Sequence, residues 1–258
     1  MTLNIHPISA FTDNYIWIIH NKQHAIVIDP GEPAGVEAYL KENQLSLLAI
    51  LITHHHHDHI DGVMPLVNHW RCDVYAPNDS RLPFKYQPVK EADSLHFPEL
   101  TLRLNVLVTP GHTLTHVGYF NEKWLFCGDT LFSMGCGRMF EGTAAQFVQS
   151  LNKIKNIINN NNDVLVFCTH EYTAANLEFA CYIDSNNPSL QTYQNKVKTL
   201  RKSNTPSLPA SLMTEIELNP FLRTNNTEFQ QLVSKLTNQK ISSEITCFAT
   251  LRKLKDNF

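Results

Sequence analysis

Apolar residues in the first two thirds of the chain come in short runs divided by turn residues, whereas in the last third they step at helical spacing. Residues 15–20 and 25–29 predict paired strands, the second ended by the turn Asp29-Pro30-Gly31. Residues 33–43 open on proline and carry Val36, Tyr39 and Leu40 on one side, which predicts a helix; residues 63–70 predict a shorter one. Further strands are predicted over 102–109, 117–120, 124–127 and 164–168, where β-branched and aromatic residues concentrate. Between them, Phe147, Leu151, Ile154 and Ile158 step by four, three and four, a helical face.

From Glu171 onward the periodicity is helical. Asn187-Pro188-Ser189 opens a helix with Leu190, Tyr193, Val197 and Leu200 on one face. Phe229, Leu232 and Leu236 mark another, and Ile245, Phe248 and Leu251 a third, after a proline-punctuated connector over 205–220. The pattern predicts a strand-rich domain over residues 1–172 and a smaller all-α domain over 173–258, within an α/β (α+β) class. No internal repeat is visible, and the asparagine run 159–162 is the one low-complexity stretch.

At 258 residues and 43% hydrophobic, the chain can bury a full core. A net charge of −3 supplies no global field for nucleic acid. No apolar run approaches the ~20 residues of a membrane span, and the first residues lack the basic-then-apolar pattern of a secretory signal. The six cysteines show no C-x-x-C pairing, so free thiols in a reducing cytoplasm are expected, in a monomer without nucleic-acid or membrane partners.

The chemistry is concentrated in residues 53–59, Thr-His-His-His-His-Asp-His, directly after the apolar run 47–52. An expression tag sits at a terminus, and this run is internal. Neutral imidazole and carboxylate are the ligands of Zn²⁺ and its first-row neighbours, and His54, His56, Asp58 and His59 form the pattern H-x-H-x-D-H. A dinuclear site needs more donors than one loop supplies. Three other apolar strands also end in one: Gly111-His112-Thr113, Gly128-Asp129-Thr130 and Thr169-His170-Glu171. Alone, a histidine after a strand is more often a core or surface residue, and Gly-Asp-Thr can be a plain turn. Their order and number beside the histidine run carry the weight.

The ordered set T-H-x-H-x-D-H, G-H-T, G-D-T and T-H-E resembles the metallo-β-lactamase superfamily. That resemblance implies an αββα sandwich with a binuclear centre. His54, His56 and His112 would hold one metal, Asp58, His59 and His170 the other, and Asp129 would bridge both. Thr53, His55 and His57 would be non-ligands. His116 is the rival ligand, which the family pattern makes a structural neighbour.

Within the superfamily, three stretches and the helical tail are similar to the glyoxalase II (hydroxyacylglutathione hydrolase) family. They are Asp13-Asn14-Tyr15-Ile16-Trp17, residues 135–143 (Gly-Cys-Gly-Arg-Met-Phe-Glu-Gly-Thr) and the ending Arg252-Lys253-Leu254-Lys255-Asp256. The resemblance implies hydrolysis of S-(2-hydroxyacyl)glutathione, chiefly S-D-lactoylglutathione, by a hydroxide bridging two divalent metals. Zinc is expected, with iron or manganese as alternatives, and Asp58 orients the hydroxide. On a helix Arg252 and Lys255 share a face and could clamp a substrate carboxylate, although basic residues also favour a helix C-terminus for its dipole. Tyr172 would reach the peptide part of the substrate, and Arg138 and Phe140 would line its site. Phe140 lacks the hydroxyl of the tyrosine found in some relatives, and Met134 stands where glycine is expected. The rival reading is a glutathione persulfide dioxygenase of the same fold, with one iron. A metallonuclease would want a basic groove, which the net charge disfavours.

Overall fold

Strand burial separates central from edge positions in the first of two compact units. The computed structural model describes residues 2–158 and 163–258, and this unit holds residues up to 108 with 115–121 and 125–128. Strands β1 (Asn4–Ala10), β2 (Asn14–His20) and β3 (His24–Ile28) run antiparallel. Helix α1 (Ala34–Glu42) returns the chain to β4 (Ser46–Leu51), parallel to β3. After α2 (His57–Ile60) and α3 (Val63–Trp70), β5 (Asp73–Pro77) and β6 (Gln87–Val89) extend the sheet in parallel.

Every residue of β2 is buried, so this strand is covered on both faces. Ile16 and Ile18 join Val27, Ile50 and Ile52 in one core, which Val36 and Leu40 of α1 and Val63 and Leu66 of α3 complete. Each such side chain contributes roughly 1.5–3 kcal/mol on burial. A second, antiparallel ladder follows: β7 (Ser94–Phe97), β8 (Leu102–Val108), β9 (Val117–Phe120) and β10 (Trp124–Gly128). The ladders meet where the Tyr119 hydroxyl donates to the Ile52 carbonyl at 2.7 Å and the Phe97 ring stands edge-on to Tyr75 at 6.0 Å. The layers are therefore helix, sheet and sheet.

The second unit holds 109–114, 122–124 and residues from 129 onward. Its first elements are the hairpin β11 (Leu131–Phe132) and β12 (Gly135–Cys136). Helix α4 (Ala144–Lys155) is opened by a Thr143–Gln146 capping box. Then come β13 (Leu165–Cys168), α5 (Thr173–Ile183), α6 (Pro188–Lys202) and β14 (Ala210–Ser211), which pairs antiparallel with β13. Helices α7 (Leu212–Leu218), α8 (Thr227–Thr237) and α9 (Glu244–Asp256) close the chain. Leu177, Ala180, Leu190, Val197 and Leu218 knit α5, α6 and α7 together, and Phe147 meets Phe248 at 5.2 Å between α4 and α9.

The predicted helix over 63–70 has those bounds, and the predicted strands agree with the observed ones to within a residue or so. Ile158 falls outside α4, which ends at its C-cap Asn156. Helix α5 was not predicted: its buried Leu177, Phe179, Ala180 and Ile183 share one side, but Ala174, Ala175 and Tyr182 stand exposed on the other, so no polar face marks the helix in the sequence. The connector over 205–220 contains β14 and α7, capped by Ser211 accepting from the Thr214 amide. The asparagine run 159–162 lies outside the described residues.

Candidate metal centre

Parallel pairing of β3 and β4 brings their carboxyl ends together, since Ile28 is in register with Leu51. Such strand ends are where open α/β sheets place ligands. Here they deliver Asp29 from one strand and Thr53 with the histidine run from the other. Asp29 takes a left-handed conformation, φ 51°, which aspartate tolerates better than most residues. One of its oxygens accepts from the Thr53 amide at 2.7 Å. The other accepts from the Thr53 hydroxyl at 2.7 Å and from His59 Nδ1 at 2.9 Å.

These bonds decide where the imidazole protons sit. His59 donates from Nδ1 to Asp29, so its Nε2 carries a lone pair. The Thr53 hydroxyl spends its hydrogen on Asp29 and accepts from His54 Nδ1 at 3.1 Å, which leaves the His54 Nε2 lone pair facing His56 Nδ1 at 2.9 Å. Asp58 receives the Asn14 amide at 3.0 Å on the oxygen that stands 3.6 Å from His59 Nε2. Gly31 makes the approach possible, because a Cβ there would lie 2.0 Å from the Asp58 carbonyl oxygen.

The second unit carries a matching set. His112 donates from Nδ1 to the Arg138 carbonyl at 2.9 Å, leaving its Nε2 lone pair 3.4 Å from Asp129 Oδ2. The other Asp129 oxygen stands 3.5 Å from His170 Nε2, so the carboxylate offers one oxygen to each imidazole. Gly137 permits this loop, as a Cβ would fall 1.9 Å from the Asp129 carbonyl oxygen.

The separations test whether a metal fits. A good N–H···O bond spans about 2.7–3.2 Å, shorter than the 3.4, 3.5 and 3.6 Å observed here. Two ligands sharing a tetrahedral ion at bonds of about 2.0–2.2 Å stand roughly 3.3–3.6 Å apart. The spacing of these three pairs suits metal ligation, whereas His54 Nε2 and His56 Nδ1, at 2.9 Å, stand at hydrogen-bond distance. Among the described residues, three groups of His and Asp could hold an ion, and between them they use His54, His56, Asp58, His59, His112, Asp129 and His170 and no others. The clusters are compatible with a binuclear centre.

His55, His57 and His116 belong to none of these groups. His57 is exposed and bonds Asp61 one turn on at 3.0 Å. His55 points Nδ1 toward Asp79 at 3.5 Å. His116 is buried and stacks on His54 at 4.8 Å. Hydrogen bonds from Arg81 hold the Asp79 carboxyl well below the usual carboxylate range, and Asp79 also receives the Thr115 hydroxyl at 2.6 Å.

In the second unit a cavity of about 530 Å³ is lined by His112 and Asp129 together with Arg138, Phe140, Tyr172, Arg252 and Lys255. The five residues expected to contact substrate therefore share one cavity. Tyr172 stacks flat on His170, rings 4.7 Å apart. Arg252 is 4% exposed, and its fork is engaged: Nε and Nη2 donate to Asp256 at 3.0 and 2.9 Å, and Nη1 to the Cys136 carbonyl at 2.9 Å. Lys255 donates to the Ala175 carbonyl at 3.3 Å; burial, then the Arg252 charge, lowers its pKa from the ordinary lysine value. Arg138 is the exposed cation, 3.9 Å from Asp256. The cysteines carry no disulfide, and burial pushes the Cys136 thiol up to about 11, a poor nucleophile at neutral pH.

Sequence reasoning missed Asp29, Asn14 and Asp256. Asp29 was read as a turn, yet it obeys the signal that found the metal ligands: a donor at the end of an apolar strand. Asn14 sits inside a quoted motif without a stated role. Asp256 is the last residue of another.

Fold and site together define a member of the metallo-β-lactamase superfamily. The profile described as "Metallo-beta-lactamase superfamily" matches residues 11–170, and "Hydroxyacylglutathione hydrolase C-terminus" matches 171–258. A hydroxyacylglutathione hydrolase from Nitrosomonas europaea is 43% identical over 256 residues, covering 99% of this chain and 97% of the relative. One from Aliivibrio salmonicida is 47% identical over 260 residues, covering 99% and 100%. The chain belongs to the hydroxyacylglutathione hydrolase family, enzymes with the metallo-β-lactamase fold followed by a helical C-terminal domain. Among solved structures, the B3 metallo-beta-lactamase BLEG-1 aligns with a TM-score of 0.61 at 24% identity, over 86% of this chain and 99% of that one. ETHE1 from Myxococcus xanthus aligns at 0.63 and 21%, over 99% and 98%; both share the fold. The relatives do not support the persulfide dioxygenase alternative.

Proposed function

We propose that this enzyme hydrolyses S-(2-hydroxyacyl)glutathione, chiefly S-D-lactoylglutathione, to glutathione and the 2-hydroxy acid, at a centre of two divalent metals. The observation that carries this reading is one cavity holding both metal-ligand side chains, His112 and Asp129, and the cationic and aromatic groups a charged tripeptide requires. His54, His56 and His112 would hold one ion, Asp58, His59 and His170 the other, with Asp129 serving both. Zinc suits these ligands best, and iron or manganese also fit. Bound there, the metals supply Lewis acidity that polarises the thioester carbonyl and makes water acidic enough to ionise near neutral pH.

The chain's own residues do the rest. Asp58, steadied by Asn14, would accept a hydrogen bond from the attacking hydroxide and orient it. Tyr172, fixed by its stack on His170 and its edge contact with Phe132 at 5.2 Å, presents a hydroxyl to the peptide part of the substrate. Arg138 and Lys255 offer guanidinium and ammonium charge, respectively, to the glutathione carboxylates, and Arg252, tied to Asp256, fixes the cavity floor and adds its field. The departing thiolate is stable, with a thiol pKa near 8.5, so it needs no dedicated acid.

We also read residues 1–172 as the catalytic domain and 173–258 as the substrate-binding domain of a cytoplasmic monomer. The change of family profile at residue 171 supports the boundary, and unpaired cysteines suit a reducing compartment. No helix among the described residues is long and apolar enough to cross a membrane. The test is to incubate purified enzyme with S-D-lactoylglutathione, follow loss of thioester absorbance, and quantify metal per chain. Turnover with two ions per chain is expected. A single iron with oxygen uptake on glutathione persulfide would overturn the reading.

A further inference from the structure

Glu215 of α7 is fully buried, yet its three recorded partners are all donors and none is a cation. The Ser133 hydroxyl and the Met134 amide each donate to it at 2.8 Å, and the Asn219 side-chain amide at 2.9 Å. Burying a carboxyl in this way is costly, and desolvation pushes its pKa up to about 7 against the pull of those hydrogen bonds. A group retained at such cost invites the question of what it holds.

What it holds is the β11–β12 hairpin. The Asn219 amide also reaches the carbonyls of Phe132 at 3.2 Å and Gly135 at 3.0 Å. From α5, the Asn176 amide donates to the Ser133 carbonyl at 3.0 Å. Backbone groups of all four residues 132–135 are thus tied to side chains of two helices. Met134 at the tip takes φ 59°, a left-handed conformation that is unfavourable for a non-glycine residue. Its side chain is fully buried among Leu177, Leu190 and Leu218, and its amide is the one Glu215 accepts from. The expected glycine would need neither support.

The flanks of this hairpin are walls of the substrate cavity. Phe132 sets its ring edge against His170 at 5.6 Å and Tyr172 at 5.2 Å. Cys136, at the other end, offers the carbonyl that receives Arg252 Nη1. A shift of the hairpin would therefore move the tyrosine wall and the arginine floor together.

We propose that Glu215 is a positioning residue for the glutathione portion of the substrate, acting through the β11–β12 hairpin on Tyr172 and Arg252. The proposal rests on the reading that this cavity takes a glutathione thioester. Glutamine at this position can keep its oxygen for the Met134 and Asn219 amides, but its NH₂ then faces the Ser133 hydroxyl, which must turn to accept, so the charge is lost and the Ser133 tie is remade in the opposite direction.

The test compares wild type and Glu215→Gln as full-length, metal-loaded enzymes on two substrates: S-D-lactoylglutathione and a short lactoyl thioester of N-acetylcysteamine, which lacks the γ-glutamyl and glycyl ends. The variant should raise KM for the glutathione thioester about tenfold, with a much smaller change in kcat, so that its preference for the glutathione thioester falls about tenfold. Metal per chain should equal wild type. Ser133→Ala, which removes a single tie, should move the preference in the same direction by less and covers the case in which Glu215→Gln fails to fold. A folded variant with equal losses on both substrates, or with wild-type preference, would overturn the positioning role while leaving the hydrolase reading intact. If the wild type itself does not hydrolyse S-D-lactoylglutathione, the reading of the cavity fails, and the proposal with it.

Discussion

Replacing Asp29 with asparagine perturbs the metal site without touching a ligand. Asp29 accepts three hydrogen bonds of 2.7–2.9 Å, and two of them converge on one oxygen. In Asp29→Asn, the side-chain oxygen best serves the Thr53 amide, an obligate donor. The new NH₂ then faces the Thr53 hydroxyl and His59 Nδ1. The hydroxyl must turn to accept, which sends its hydrogen toward His54 Nδ1 and drives the His54 proton to Nε2. His59 loses the acceptor for its Nδ1 proton and is driven the same way. Two of the nitrogens expected to bind metal are thus placed in the wrong tautomer. Loss of a carboxylate behind a ligating histidine typically costs 10–100-fold in metal affinity, about 1.4–2.7 kcal/mol. The assay is competition with a chelator of known affinity, read as metal retained per chain, with turnover measured after reloading at saturating metal. Activity should return largely at high metal concentration, because the ligands themselves remain. A change in metal affinity of twofold or less would refute the tautomer argument.

Other expectations follow from the same geometry. Asp58→Ala should lower turnover by orders of magnitude and reduce metal content; full activity with two ions per chain would remove Asp58 from the mechanism. Arg252→Ala with Lys255→Ala should raise KM for the glutathione thioester far more than it lowers kcat, and an unchanged KM would show that neither residue serves substrate binding. Burial lowers the pKa of Lys255, so its positive charge is present below that value and lost as pH rises through it. KM should therefore climb on the alkaline side at a pH below the ordinary lysine range, and Lys255→Met should flatten that limb in a pH–KM profile. Gly31→Ala should disorder the Asp58 loop, since the added Cβ would overlap the Asp58 carbonyl; wild-type metal content and thermal stability in that variant would contradict the close approach.

The sequence alone pointed to half of the described strands, the helical character of the last third, and the seven side chains proposed as metal ligands. The reason is local. A strand end that must present a donor at a fixed point leaves an apolar run, a turn and a His or Asp in order along the chain, and this happens four times. Asp29 shows the limit of that legibility: Asp-Pro-Gly also spells a turn, and only the parallel register of β3 with β4 places the carboxylate behind His59. Helix α5 escaped because apolar Ala174, Ala175 and Tyr182 occupy its exposed face, which blurs the contrast on which periodicity depends. The state of Arg252 was likewise beyond reach: spacing put it on a face with Lys255, but the carbonyl that occupies it lies 116 residues away in sequence. Glu215 could have been a surface helix residue from its sequence neighbours, and its role comes from a hairpin more than eighty residues earlier. Which atoms can ligate is written in residue types and their order. Which proton each imidazole keeps, and which cations face the cavity, depends on long-range hydrogen bonds that exist only once the chain has folded.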